Sequence, residues 1–320
     1  MPIELRVLLA WGLAFAATYW LTPFMFRVAD KTGIVDVPRG RHAHAQTTPL
    51  LGGLAIFAGV MLAAELLAPS LAFAVALPLA LGAGLVDDYC KTHGKELPAL
   101  PKLVLQLLPA TTLVLLGHTI DHISNPFSGG ILILPWWLDY PLTLAWLIGM
   151  TNAVNFLDGM DGMVAGLTAV ATFALLIIAL VRGAAPTAVW VAATLGACIA
   201  FLRYNFPPAS IFMGDTGSNF LGFLLAAIAV TGYFKVATLA GVAAPMLVLA
   251  LPMLNVGFVI FRRMRKGKSL IQALTEADLE HSFNVFRRRT NFNPKETVLI
   301  FLLAAMALSL SALGVVSVYR

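Results

Sequence analysis

Uncharged apolar stretches alternate with short polar segments along the whole chain, at about 7–26, 49–67, 70–86, 102–119, 139–157, 162–181, 184–203, 216–234, 237–261 and 297–318. A helix needs about 20 apolar residues to cross a bilayer. The pattern therefore predicts an all-α polytopic membrane protein with about ten transmembrane helices in a single integral-membrane domain over residues 1–320. The first stretch is long enough to span and lacks a small-residue cleavage site after a short apolar core. It is expected to remain as a helix and not to be removed as a signal peptide. Two polar segments predict structure of their own. Residues 118–139 hold no Lys or Arg and suit an outer loop, where Ser128-Gly129-Gly130 ahead of an Ile-Leu-Ile-Leu run predicts a small outer β-hairpin. In 262–296, Ser269 with Gln272 reads as a capping box, and Leu270, Leu274 and Ala277 share a helical face. That cytoplasmic loop is expected to carry a short amphipathic helix lying on the membrane, before Asn293-Pro294-Lys295-Glu296 starts the final helix.

Composition removes the soluble classes: 59% of residues are hydrophobic and 12% charged, with a mean hydropathy of +0.86. Charge sets the orientation. If the segments after the first, third, fifth, seventh and ninth stretches share one face, that face collects 17 of the 21 basic residues, leaving Arg6, Arg182, Lys235 and Arg320 opposite. The positive-inside rule makes the basic face cytoplasmic and puts both termini of the multi-pass chain outside. The net charge of +5 then reflects topology and not nucleic-acid binding, since the basic residues are dispersed over short loops without a recognition module. Cys90 and Cys198 are too few for a disulfide framework.

Polar residues at the ends of apolar stretches carry the candidate chemistry. Asn152, Asn155, Asp158 and Asp161 recur every third residue, so a continuing helix would hold them in one slowly drifting stripe aimed at something shared. Taken singly, Asp158-Gly159 and Asp161-Gly162 also read as turns. Asp87 and Asp88 end the third stretch, where carboxylates oppose the helix macrodipole and call for a compensating cation. Pro101 restarts the chain with Lys102 at its mouth. Gly214-Asp215-Thr216-Gly217-Ser218 opens another helix, where Asp215 serves either as a simple cap or beside a phosphate or metal. Gly52-Gly53 allows close helix approach. His42 and His44 read as solvated and not as a metal pair. The run Arg287-Arg288-Arg289 suits anionic lipid and substrate equally well. All the unusual carboxylates fall on the cytoplasmic side, whereas a transporter places ionisable groups near the midplane. Hard oxygens at one interface, with cations and a helix N-terminus beside them, suit Mg²⁺ and a pyrophosphate; no Cys/His set suits zinc.

The motifs GLVDDYCK (84–91), TNAVNFLDGMDG (151–162) and FMGDTGS (212–218) resemble those of the polyprenyl-phosphate N-acetylhexosamine-1-phosphate transferases of glycosyltransferase family 4. Within that family the chain is most similar to the bacterial branch that uses UDP-N-acetylglucosamine and undecaprenyl phosphate to start wall teichoic acid, O-antigen or related polymers. The resemblance implies transfer of a sugar 1-phosphate from a UDP-sugar to undecaprenyl phosphate in the bilayer, with release of UMP. It implies Asn155 and Asp215 as ligands of Mg²⁺, with Mn²⁺ as a substitute, and Asp87 and Asp88 at the acceptor phosphate. It places Asp161 near the uracil, with Asp158 and Asn152 shaping that pocket, and Lys91 and Lys102 facing phosphates. From the last inner loop it brings His281 to the chemistry and Arg288 to the substrate, although Phe283 stands where the family carries a second His. Direct attack by the lipid phosphate is the expected route, with a covalent aspartyl intermediate through Asp87 or Asp88 left open. Assembly as a homodimer is also left open. The alternative within the family is transfer of phospho-MurNAc-pentapeptide, which Asp-Asp-Tyr-x-Lys at 87–91 also resembles but whose run of histidines is missing. Outside the family the alternative is a transporter.

Overall fold

A computed structural model of the chain describes residues 1–36, 47–95, 97–124, 131–231, 250–267 and 282–318. The described residues form helices α1 (Ile3–Thr32), α2 (Gly52–Leu67), α3 (Leu71–Thr92), α4 (Ala99–Leu115), α5 (Trp136–Asn155), α6 (Met163–Val181), α7 (Ala185–Asn205), α8 (Gly214–Thr231), α9 (Ala250–Arg265), α10 (Ser282–Thr290) and α11 (Pro294–Val318). Five are long and apolar enough to cross a membrane: α1, α3, α6, α7 and the Pro294–Gly314 part of α11. Helices α2 and α4 are apolar but shorter. The protein is thus a mostly helical, polytopic membrane protein. His42, His44, the expected helix around Ser269–Ala277, and His281 lie outside the described residues, as does the side chain of Arg288.

Helix ends follow local chemistry. Helix α1 runs past its apolar stretch until Gly33 closes it at φ 71°, returning its N–H to the carbonyl of Ala29. Helix α2 begins later than the apolar run suggests because Thr48–Pro49 (β2) pairs antiparallel with Val35–Asp36 (β1). The residues that follow then bond to the entry of α8: Phe212 N–H donates to the carbonyl of Pro49 at 2.8 Å, Gly52 N–H to Phe212 and Gly53 N–H to Met213, each at 3.0 Å. Before α11, the N–H of Asn293 donates to Glu296 and that of Glu296 to the side chain of Asn293, at 2.8 and 2.9 Å, a reciprocal cap. On the far side His122–Ser124 (β3) pairs antiparallel with Ile131–Ile133 (β4). The connecting residues 125–130 lie outside the described set.

Helix α8 is the axis of the bundle. It is buried on every face from Thr216 to Ile228, as a helix that is apolar or small all round must be. Helices α3 and α5 pack along it and α2 crosses its start, while α7 sits between α1 and α6, with α11 on α6 and α9 on α5. In lipid no hydrophobic force drives helices together, so small residues that let backbones meet do the work. A Cβ at Gly53 would collide with the backbone of Gly217, one at Gly84 with the backbone of Asp215, and one at Gly222 would stand 2.9 Å from Cα of Thr151. Three helices therefore meet the backbone of α8 directly. Because directions alternate through the bundle, α3 and α5 end where α4 and α8 begin. This gathers their polar ends on one face.

Candidate active site

Asp88 explains why two carboxylates can end α3. It is 1% exposed and its side chain is the cap of α8: Oδ1 accepts from the N–H of Asp215 at 2.9 Å, and Oδ2 accepts from the N–H of Thr216 at 2.8 Å and from its hydroxyl at 2.6 Å. The compensating positive charge is the N-terminus of a neighbouring helix. Both oxygens are committed, so Asp88 positions α8 and has no free atom facing a substrate.

Asp87, 3% exposed, turns the other way. Its Oδ2 pairs with Lys102 Nζ at 2.7 Å and with Lys91 Nζ at 3.5 Å, while Oδ1 is buried without a partner. Lys91 also pairs with Asp215. On its far side Asp215 accepts from Nδ2 of Asn155 at 3.0 Å, and the same amide donates to Ser218 Oγ at 2.9 Å. Asp87, Lys91, Lys102, Asn155 and Asp215, separated by up to 128 positions in the chain, form one connected cluster. The two lysines remain partly exposed, with side chains 40% and 36% accessible.

The three-residue recurrence does not continue as a helix. Helix α5 closes at Asn155 and residues 156–162 form turns until Gly162, at φ 72°, starts α6. The four polar residues therefore point to four different places. Asn155 joins the cluster, and Asp158 is exposed within the electrostatic reach of Asp215, Asp88 and Lys91. Asp161 accepts from the N–H of Ala209 at 2.9 Å. Asn152 bonds to Gln106 on α4. Asn205, which the sequence pattern left unmarked, completes the loop's support: it accepts from the N–H of Gly162 at 3.0 Å and donates to the carbonyl of Ile211 at 2.8 Å. Gln106 and Asn219 share one overlooked signal, a lone carboxamide in an apolar stretch, which lipid tolerates when it is partnered, whereas Asn205 lies just beyond the stretch 184–203.

Asp87 and Asp215 thus stand against two ammonium groups, those of Lys91 and Lys102. The unpartnered Oδ1 of Asp87 suits a hard cation. Among the described residues no three His, Cys, Asp or Glu side chains form a protein-only metal cage. Mg²⁺ takes one or two carboxylates and completes its shell with water and substrate phosphates. As a ligand Asn155 would present its amide oxygen in place of the nitrogen that now faces Asp215, a half-turn about its last torsion.

Residues 70–233 match the family model for glycosyl transferase family 4. The chain is 34% identical over 320 residues to a probable undecaprenyl-phosphate N-acetylglucosaminyl 1-phosphate transferase of Bacillus subtilis, covering 97% of this chain and 85% of that protein. It is 34% identical over 301 residues to a decaprenyl-phosphate N-acetylglucosaminephosphotransferase of Mycobacterium tuberculosis, covering 83% and 73%. A phospho-N-acetylmuramoyl-pentapeptide-transferase of Desulforamulus reducens is 40% identical over a shorter 245 residues, covering 70% and 73%.

Proposed function

From the premise that this chain belongs to glycosyl transferase family 4, we propose that it transfers N-acetylglucosamine 1-phosphate from UDP-GlcNAc to undecaprenyl phosphate, releasing UMP, as the first membrane step of an envelope polysaccharide. The observation that carries the reading is the cluster of Asp87, Lys91, Lys102, Asn155 and Asp215 at one end of the bundle, where a soluble nucleotide and a lipid phosphate can meet. The relatives with the longer alignments, over 97% and 83% of this chain, are named for N-acetylglucosamine and polyprenyl phosphates, which favours that sugar over the muramoyl pentapeptide.

In this mechanism an oxygen of the lipid phosphate attacks the β-phosphorus of UDP-GlcNAc in line with the bridging oxygen, whose bond to that phosphorus breaks as UMP leaves. A phosphate monoester has its second pKa near about 6, so the nucleophile is largely a dianion without a general base. Lys91 and Lys102 hold the phosphates from the open side of the cluster and neutralise charge on the departing UMP. Asp215 and Asn155, with the free oxygen of Asp87, would hold Mg²⁺. When bound, the ion supplies Lewis-acid stabilisation of the charge that develops on the phosphate oxygens. Direct attack is favoured over an aspartyl intermediate because Asp88 has no free oxygen, and a carboxylate paired with two lysines, as in Asp87, is a weakened nucleophile.

The test is UMP release by purified protein with undecaprenyl phosphate, Mg²⁺ and a panel of UDP-sugars. UDP-GlcNAc, or a closely related UDP-N-acetylhexosamine, supports release and UDP-MurNAc-pentapeptide does not. Turnover with the pentapeptide substrate alone would assign the chain to the muramoyl branch instead. The basic bias of this face orients it to the cytoplasm, with both termini outside. Cys90, half-buried two residues beyond Asp88, and the buried Cys198 provide a check in the native chain. An impermeant maleimide labels Cys90 in inside-out vesicles and leaves right-side-out vesicles unlabelled, with Cys90→Ser as the blank. Labelling from the outer face overturns the orientation.

A further inference from the structure

We propose that Gln106 is a positioning residue for Lys102, acting through a clamp of side-chain amides between α4 and the α5–α8 pair. The inference rests on the phosphotransferase reading, in which Lys102 faces a phosphate. Helix α4 contributes no buried residue before Pro109; its buried positions are Pro109, Ala110, Leu113 and Val114, all in the half away from the site. The half that carries Lys102 faces outward through Leu100, Leu103, Val104 and Leu108. Apolar contact with lipid costs these side chains nothing, so it cannot set the rotation of the helix. Gln106 can. Its Nε2 donates to Oδ1 of Asn152 and to Oδ1 of Asn219, each at 3.3 Å, and its Oε1 accepts from Nδ2 of Asn152 at 2.7 Å. Gln106 and Asn152 thus form a reciprocal amide pair, with Asn219, 6% exposed on α8, as third member.

The second hydrogen of the Asn152 amide goes to the carbonyl of Ile148 at 2.8 Å. This accounts for the amide of Asn152 inside the bundle: it holds α4 rather than lining an open pocket. Lys102 lies one turn before Gln106 on the same face, and its ammonium reaches Asp87 at 2.7 Å. The clamp fixes the roll of α4, and the roll decides whether Lys102 meets Asp87 or swings toward lipid.

The test uses Gln106→Met, which keeps length and volume while removing donor and acceptor, and the swap Gln106→Asn with Asn152→Gln, which rebuilds an amide pair across the same gap. In the UMP-release assay Gln106→Met lowers turnover about tenfold, and the swap recovers most of that loss. In a Lys102→Met background the same Gln106→Met change costs less than about twofold, because its effect runs through Lys102. An equal loss in both backgrounds, or no loss in either, overturns the proposal. A second readout needs no turnover. With cysteines at 87 and 102 and Cys90→Ser, a short bis-thiosulfonate cross-links α3 to α4; Gln106→Met slows this and the swap restores it. Unchanged cross-linking overturns the clamp. Absence of UMP release by the wild-type chain with every UDP-sugar refutes the proposed function and leaves the cross-linking result standing.

Discussion

Replacing Asp215 by Asn abolishes turnover and leaves a folded protein. The backbone N–H of residue 215 still donates to Asp88, and Thr216 still supplies the other two bonds of that cap, so α8 starts where it did. What disappears is the negative charge that pairs with Lys91 and faces Asn155. A neutral amide cannot hold Lys91 in place and is a much poorer ligand for a divalent cation. Loss of one group placed to stabilise developing charge costs about 10²–10³ in turnover, and this residue is proposed to hold both a metal and a lysine. UMP release at saturating Mg²⁺ measures the effect, with the melting temperature in detergent as control. Residual activity above about a tenth, a loss of less than about 1.4 kcal/mol of transition-state stabilisation, would sink the assignment.

Asp88→Asn acts differently and reaches further. The wild-type carboxylate accepts three hydrogen bonds, two from backbone N–H groups at the start of α8, and is 1% exposed. An Asn offers one acceptor oxygen and turns an NH₂ group toward donors that then have no partner. Hydrogen bonds to a charged group contribute about 1.5–3 kcal/mol each. The variant therefore unfolds at lower temperature and loses activity that added Mg²⁺ does not restore. Asp87→Asn loses activity and lowers the melting temperature less than Asp88→Asn, since the two lysines left without it remain open to water. Equal melting temperatures for Asp88→Asn and wild type would refute the capping role. A stable but inactive Asp88→Asn would return Asp88 to direct contact with substrate.

The two neighbouring aspartates show how far a sequence can be read. Their strangeness was legible, because adjacent carboxylates at the C-terminal end of a helix are unfavourable without a partner. Which partner was not legible, since the cap of α8 lies 127 positions away and nothing local to residues 84–91 encodes it. The same holds for the four polar residues from Asn152 to Asp161. Their spacing marked them as a set, yet α5 stops at Asn155 and the remaining two turn off on a loop. The helix ends there because Asp-Gly pairs favour turns, a choice that periodicity alone left open.

What the sequence determined by itself is whatever depends on local pattern: a multi-pass helical protein, the close approach at Gly52-Gly53, and three motifs that carry the family. The tertiary structure decided the assignments that depend on which polar atoms face each other. It separated Asp88, which caps α8, from Asp87, which pairs with Lys91 and Lys102. It committed Asn152 to α4, and it drew in Gln106, Asn205 and Asn219. The physical reason is the solvent. In water a surface amide can always find a partner, but in a bilayer each buried amide or carboxylate must find one on another helix. Its role is therefore set by the packing of helices distant in the chain, which no single stretch of sequence contains.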